Sequence, residues 1–294
     1  MLSQVLEALR LRQWFDTSLP FDKSIHMTQA NVPWMLLSRD GEPVLHVKFS
    51  RRFDLEREAA RYAAASKSYP GRLAPLVGHA RHGEIDILVC QAVTYQTLDP
   101  RAMFCGRLPP PLRSHLAEYF ASMRHAKAID SAADVDNQTL LATLRDHFDR
   151  SASGPRVRAL LSDPLPALLR DLPATPQHGD FALTNLGVTR SGLVLFDWED
   201  YGLLELPGLD LFTLLLSIAW ANGCEVTDTL QPKHSLNDFI ESACSAMGLS
   251  LAQFGALMPT YTLTFRYLKR NYGAGVRDHL DRLIDRLEPA RGSA

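Results

Sequence analysis

The chain has 294 residues, a formal net charge of −2 and a charged fraction of 22%. That length allows one large domain or two lobes with an ample core. The near-neutral balance, with no basic run of five or more residues, offers no nucleic-acid surface. Cys90, Cys105, Cys224 and Cys244 are scattered, without a Cys-x-x-Cys pair or zinc spacing. They read as reduced thiols of a cytoplasmic protein. The first ten residues are amphipathic and carry Glu7, unlike a signal peptide. The most apolar run, Leu211 to Ala221, is too short to span a bilayer. No membrane contact is expected, and nothing in the pattern addresses oligomeric state.

In chain order, residues 2 to 15 place Val5, Leu6, Leu9 and Trp14 at helical spacing. Strands follow at Ser24 to Met27, Val32 to Ser38 and Val44 to Phe49, the last two joined by an Asp40-Gly41 turn. Phe53 to Ser66 is rich in Ala and Glu and predicts a helix. Leu76 to His79 and Ile85 to Gln91 complete five strands. After residue 93 the texture becomes helical: Leu112 to Ala128, Asn137 to Arg150, and Val157 to Arg170 with an interruption at Pro164. One hairpin, Leu186 to Phe196, breaks this half. Leu209 to Ala221, nearly all apolar, predicts a buried helix. Leu236 to Met247, Leu251 to Asn271 with a bend at Pro259, and Val276 to Leu287 finish the chain. The expected organisation is α+β: a small sheet lobe over residues 1–93 and a larger helical lobe over residues 94–294. A cleft between unlike lobes is a usual ligand site.

The polar residues concentrate around the hairpin. Residues 177 to 200 read Gln-His-Gly-Asp-Phe-Ala-Leu-Thr-Asn, two short apolar pieces around a turn, then Asp197-Trp-Glu-Asp. Asp180, Asn185 and Asp197 are brought to one end, where two acids and an amide can hold a divalent metal and leave one acid as a base. If the ligand is a nucleoside triphosphate, phosphoryl transfer needs metal ions, a cation on the phosphates and a base for the attacking hydroxyl. Asp180 in the loop fits the base. Asn185 and Asp197 supply hard oxygen ligands for Mg2+. Lys48, on the third strand, supplies the cation. Glu58 on the following helix would hold it, with Glu56 in reserve. His178 reads as a packed scaffold residue. Asp210, within a run of Leu and Phe, is costly unless hydrogen-bonded. Glu199 and Asp200 read either as substrate contacts or as a solvated turn. Trp34 and Trp220 read as core.

His178-x-Asp180-x-x-x-x-Asn185, followed by a hairpin and Asp197, resembles the catalytic segment of the protein-kinase-like fold. With Gly179 and Trp198-Glu199 in place, it is similar to the aminoglycoside phosphotransferase family of small-molecule kinases rather than to protein kinases. Those usually carry Arg at the former position and Phe-Gly at the latter. The resemblance implies a two-lobed kinase-like fold with the active site between lobes. It implies ATP and Mg2+ as cofactors and transfer of the γ-phosphoryl group to a hydroxyl of a small polar molecule. By it Asp180 is the base, Asn185 and Asp197 are metal ligands, and Lys48 with Glu58 serves the phosphates. By it residues 90 to 93, with Gln91 and Val93, would be the hinge whose backbone meets adenine, and Asp210 would brace the catalytic loop. Thr28-Gln29-Ala30-Asn31 departs from the family's Gly-rich loop.

The acceptor stays open between an aminoglycoside, to which Glu199, Asp200 and Glu205 could offer acidic contacts, and a sugar, amino alcohol or cell-envelope metabolite. A non-catalytic nucleotide-binding module of the same fold is the alternative from another class.

Overall fold

The computed structural model describes residues 1–28, 31–126, 139–151, 153–162, 165–231 and 233–288. Gln29, Ala30, the end of the helix predicted to reach Ala128, the start of the one predicted from Asn137, and Pro164 lie outside the described residues.

Helix α1, Leu2–Leu11, precedes strands β1 (Asp22–Met27), β2 (Pro33–Arg39) and β3 (Glu42–Ser50). Helix α2 (Leu55–Ser68), β4 (Leu76–His82) and β5 (Ile85–Gln91) follow. The strands form one antiparallel sheet in the order β1-β2-β3-β5-β4. Asp40 and Gly41 take φ of +53° and +80° at the β2–β3 turn, which suits a tight hairpin.

The period-two pattern of the strands sorts side chains onto two faces. Met35, Leu37, Leu45, Val47, Phe49, Ile85, Ile87 and Val89 pack with Val5, Ala8 and Leu9 of α1 into a core of their own. The opposite face carries Trp34, His46, Lys48, Leu88 and Cys90. Lys48 is therefore turned away from the α1 core by its place between Val47 and Phe49. On α2 the buried residues Leu55, Glu58, Tyr62 and Ala65 share one helical face. Asp54 caps the helix by accepting from the N–H groups of Glu56 and Arg57, at 3.1 and 3.4 Å.

The second half contains α3 (Pro100–Phe104), α4 (Pro110–Ser122), α5 (Leu140–Phe148), α6 (Gly154–Leu160) and α7 (Leu165–Arg170). The hairpin is β7 (Leu186–Thr189) and β8 (Gly192–Leu195). Helices α8 (Leu209–Ala221), α9 (Asn237–Met247), α10 (Leu251–Ala256), α11 (Met258–Leu268) and α12 (Ala274–Arg286) complete the lobe. A two-residue strand β6, Gln96–Thr97, adds a third member to the hairpin in the order β6-β7-β8. The residue before it, Tyr95, lies against Gly187, where an added Cβ would fall 2.4 Å from the ring. Leu251 to Asn271 is not one bent helix: α10 and α11 separate at Leu257, and Pro259 sits in the first turn of α11, where it costs no hydrogen bond. Trp220 is not core either. It is 42% exposed and stacks on His279 at 4.3 Å.

The larger core runs from α8 and α4 through α9 and α11 and continues into Tyr62, Ala65 and Tyr69 of the α2 region. Tyr69 meets Tyr119, Trp198 and Tyr201 with ring centroids 5.2 to 6.1 Å apart. Among the described residues no helix is long and apolar enough to cross a membrane.

On the face of the sheet opposite α1, His26, Trp34 and His46 form a ladder of rings, 4.3 and then 4.7 Å apart. Burial, reinforced by the Lys48 ammonium, pushes His46 down to about 4. In the unfolded chain the ring takes a proton near its ordinary value of about 6.5, while the folded one resists until about pH 4. The contribution of His46 to stability is thus full above about 6.5 and is lost as pH falls towards 4. His46→Phe, which keeps a ring in the ladder, should flatten the pH dependence of unfolding free energy across that interval. Urea denaturation at a series of pH values measures it.

Candidate active site

The loop Gln177–Asp180 is held at its backbone. Asp210, in the first turn of α8 and fully buried, accepts from the N–H of His178 (2.8 Å), the N–H of Gly179 (2.9 Å) and the hydroxyl of Tyr119 (2.8 Å). Its own N–H donates to the side-chain oxygen of Gln177 at 3.2 Å. Burial pushes the Asp210 carboxyl up, opposed by His178 and these donated bonds. Gly179 has φ of +84°, and a Cβ there would lie 2.8 Å from that of Asp200. Only glycine meets both demands.

His178 is buried and kept neutral, its ring pushed below the usual value by desolvation. Its Nε2 lies 2.9 Å from the carbonyl of Phe196, and the N–H of Asp180 donates to its Nδ1 at 3.3 Å. One tautomer, with the proton on Nε2, satisfies both contacts and ties the loop to the end of β8. Asn185 donates from its amide nitrogen to the carbonyl of Asp180 at 2.9 Å, which leaves its side-chain oxygen as the end for a ligand. Asp197 follows β8 in the left-handed region, at φ +58° and ψ +70°. A non-glycine residue there costs about 1–3 kcal/mol and marks a position held for a purpose.

Lys48 reaches this end from the other lobe. Its ammonium is 3.2 Å from Asp197, 2.9 Å from Glu199 and 2.9 Å from Glu58, and the residue is 4% exposed. Glu56 is exposed, so Glu58 is the partner. Burial opposes the ammonium, but Asp197, Glu58 and Glu199 outweigh it and hold Lys48 well above its ordinary value. Burial pushes Glu58 up to about 7, with Lys48 pulling against it. For Asp197 burial is outweighed by Lys48 and Lys269, which hold it low.

Oxygens of Glu58, Asp197 and Glu199 lie within 4.8 Å of one another. Three carboxylates around one ammonium leave surplus negative charge. They offer the hard oxygen donors that a divalent cation takes.

Asp180 and Asp197 thus stand at the two ends of one loop and hairpin. Asp180 is buried, which pushes its carboxyl up, and Lys269 counteracts this from 3.0 Å. Lys269 also pairs with Asp200 at 2.8 Å. Arg61 donates to the carbonyl of Glu199 at 2.7 Å. At the end of β5, where a hinge is expected, the N–H groups of Gln91 and Ala92 are committed to the carbonyls of Pro75 (2.8 Å) and Val44 (2.9 Å). Val93, half-buried, makes no such bond among the described residues.

Lys269, Glu199 as a partner of Lys48, and Arg61 escaped the sequence. The one available signal was weak: a lysine four residues after Phe265 on the buried stripe of an apolar helix. Cys90 is a packed thiol that burial pushes up to about 12.

Asp210→Ala would leave three buried donors unsatisfied and should cost about 3–5 kcal/mol. Asp210→Asn, which keeps the volume and one acceptor, should cost less. Denaturant unfolding of the two variants checks the order.

The phosphotransferase enzyme family model (APH) matches residues 3–231. Among curated proteins no significant match to the chain is found. Solved structures share the fold at low identity. A choline/ethanolamine kinase family protein from Mesorhizobium loti is 15% identical, with a TM-score of 0.55, covering 96% of this chain and 95% of that one. The macrolide 2′-phosphotransferase MphH from Brachybacterium faecium is 13% identical, with a TM-score of 0.55, covering 97% and 99%. A fructosamine-3-kinase candidate from Thermobifida fusca is 16% identical, with a TM-score of 0.59, covering 91% of each chain. With its kinase-like fold and a family match over most of its length, the chain belongs to the phosphotransferase enzyme family.

Proposed function

We propose that this enzyme transfers the γ-phosphoryl group of ATP, as its Mg2+ complex, to a hydroxyl of a small polar molecule in the cytoplasm. The observation that carries the reading is the meeting of Lys48 with Asp197 across the cleft, with Asp180 at the other end of the same loop. Residues 1–93 would serve the nucleotide and residues 94–294 catalysis and the acceptor.

In this reading Lys48, held by Glu58, orients the phosphates, and Val93 with Gln91 meets the base at the hinge. Asp197 and Asn185 would hold Mg2+, with Glu199 as a further ligand once Lys48 turns to phosphate. The metal supplies neutralisation of the phosphate oxygens. Asp180 accepts the proton of the acceptor hydroxyl as its oxygen bonds to phosphorus and the bond from phosphorus to the ADP oxygen breaks. His178 and Asp210 keep the loop in place.

One observation bears on the acceptor. Glu199 is paired with Lys48, Asp200 with Lys269, and Glu205 is buried with an internal partner. The acids that could have met an aminoglycoside's ammonium groups already have partners inside the protein. This favours an uncharged hydroxyl compound such as a sugar over a polycation.

A mass-spectrometric screen with ATP, Mg2+ and a panel of sugars, amino alcohols and aminoglycosides should yield a phosphorylated neutral acceptor. Failure across the whole panel, with ATP binding intact by thermal shift, would favour a non-catalytic module. With an acceptor in hand, Asp180→Asn should lower kcat by about 10²–10⁴-fold while leaving ATP affinity in place. Full turnover in that variant would sink the base assignment.

A further inference from the structure

We infer that Lys269 is a positioning residue: its ammonium, shared between Asp180 and Asp200, holds one oxygen of the base and leaves the other to the acceptor. This rests on the reading of Asp180 as base.

Lys269 follows α11 in a short 3-10 turn and is 1% exposed. Its Nζ lies 3.0 Å from Oδ2 of Asp180, 2.8 Å from Oδ2 of Asp200 and 3.1 Å from the hydroxyl of Tyr272. An ammonium has three N–H donors, and here each has an acceptor. The group lies 5.4 Å from the ring centroid of Phe265 and 4.5 Å from that of Tyr272, which restricts the stem. The hydroxyl of Tyr272 also donates to Oδ2 of Asp180 at 3.5 Å.

Oδ2 of Asp180 is thus claimed by two partners from the C-terminal part of the chain. Oδ1 has no side-chain partner among the described residues and is the oxygen left for an incoming hydroxyl. A carboxylate with one oxygen pinned cannot rotate freely about its terminal bond. The pin also explains how Asp200 can stand beside the loop, where it abuts Gly179. Without the ammonium, two buried acids would face each other. A cation present only to balance charge would need no particular geometry, whereas a positioning cation must meet the base at hydrogen-bond distance, as this one does.

The test separates folding from catalysis. Lys269→Met, Lys269→Arg and Lys269→Met/Asp200→Asn are compared with wild type by thermal unfolding and by ATP–Mg2+ turnover with the acceptor recovered from the panel. Lys269→Met should lower Tm by about 10 °C, because it strands buried carboxylates. It should lower kcat by about 10²-fold with KM for ATP within about threefold, because the base is misplaced rather than removed. Adding Asp200→Asn should return most of the Tm but leave kcat at least about tenfold down, since Oδ2 of Asp180 still lacks its pin. Lys269→Arg should return part of the kcat.

Recovery of wild-type kcat together with Tm in the double variant would reduce Lys269 to packing and overturn the inference, as would wild-type kcat in Lys269→Met. A wild-type enzyme that turns over nothing would count against the functional reading instead. Then Lys269→Met/Asp180→Asn decides by Tm alone: recovery supports the pairing, and no recovery overturns it.

Discussion

The site depends first on one buried carboxylate whose hydrogen bonds go to the protein itself. Asp210 takes the backbone N–H groups of His178 and Gly179 and the hydroxyl of Tyr119, from a helix with almost no polar surface. An acid in that setting is tolerable only because every donor is met at 2.8–2.9 Å. The loop cannot move without stranding those donors, and α8 cannot move without opening the largest core. Rigidity at Asp180 is therefore inherited from hydrophobic burial, through one hydrogen-bonded joint.

The second constraint is charge. Around Asp197 one ammonium, Lys48, serves three acids. Around Asp180 another, Lys269, serves two. The balance therefore differs between the two ends of the site. The Lys48 cluster keeps the larger surplus of negative charge, and in the proposed reading that suits a divalent ion. The Lys269 cluster is closer to neutral, and in the same reading that suits an uncharged hydroxyl.

Much of this was legible in the residues. The strands and the α8 span followed from period-two and all-apolar patterns, and the spacing of Asp180, Asn185 and Asp197 marked the loop and hairpin that carry them. The choice of Glu58 over Glu56 was readable too, because Glu58 shares the helical face of Leu55, Tyr62 and Ala65 while Glu56 does not. Strand β6 escaped because two residues carry no periodicity. The break at Leu257 escaped because a proline in a first turn looks, in sequence, like one in a helix interior. Lys269 escaped for a deeper reason: its partners lie in a distant loop, and local pattern could hint at its burial but not at which groups it meets.

The seating of Tyr69 has a consequence for control. The C-terminal end of α2 is built into the same aromatic cluster as Trp198 and Tyr201, and Tyr62 and Ala65 belong to the larger lobe's core. The α1 face of the sheet has a separate core. A helix shared in this way cannot swing outward without tearing the body it is anchored in. Glu58 is then fixed relative to the residues after β8 even if the strands tilt. Loss of the Lys48–Glu58 pair would then have to come from movement of the strand that carries Lys48 rather than of this helix.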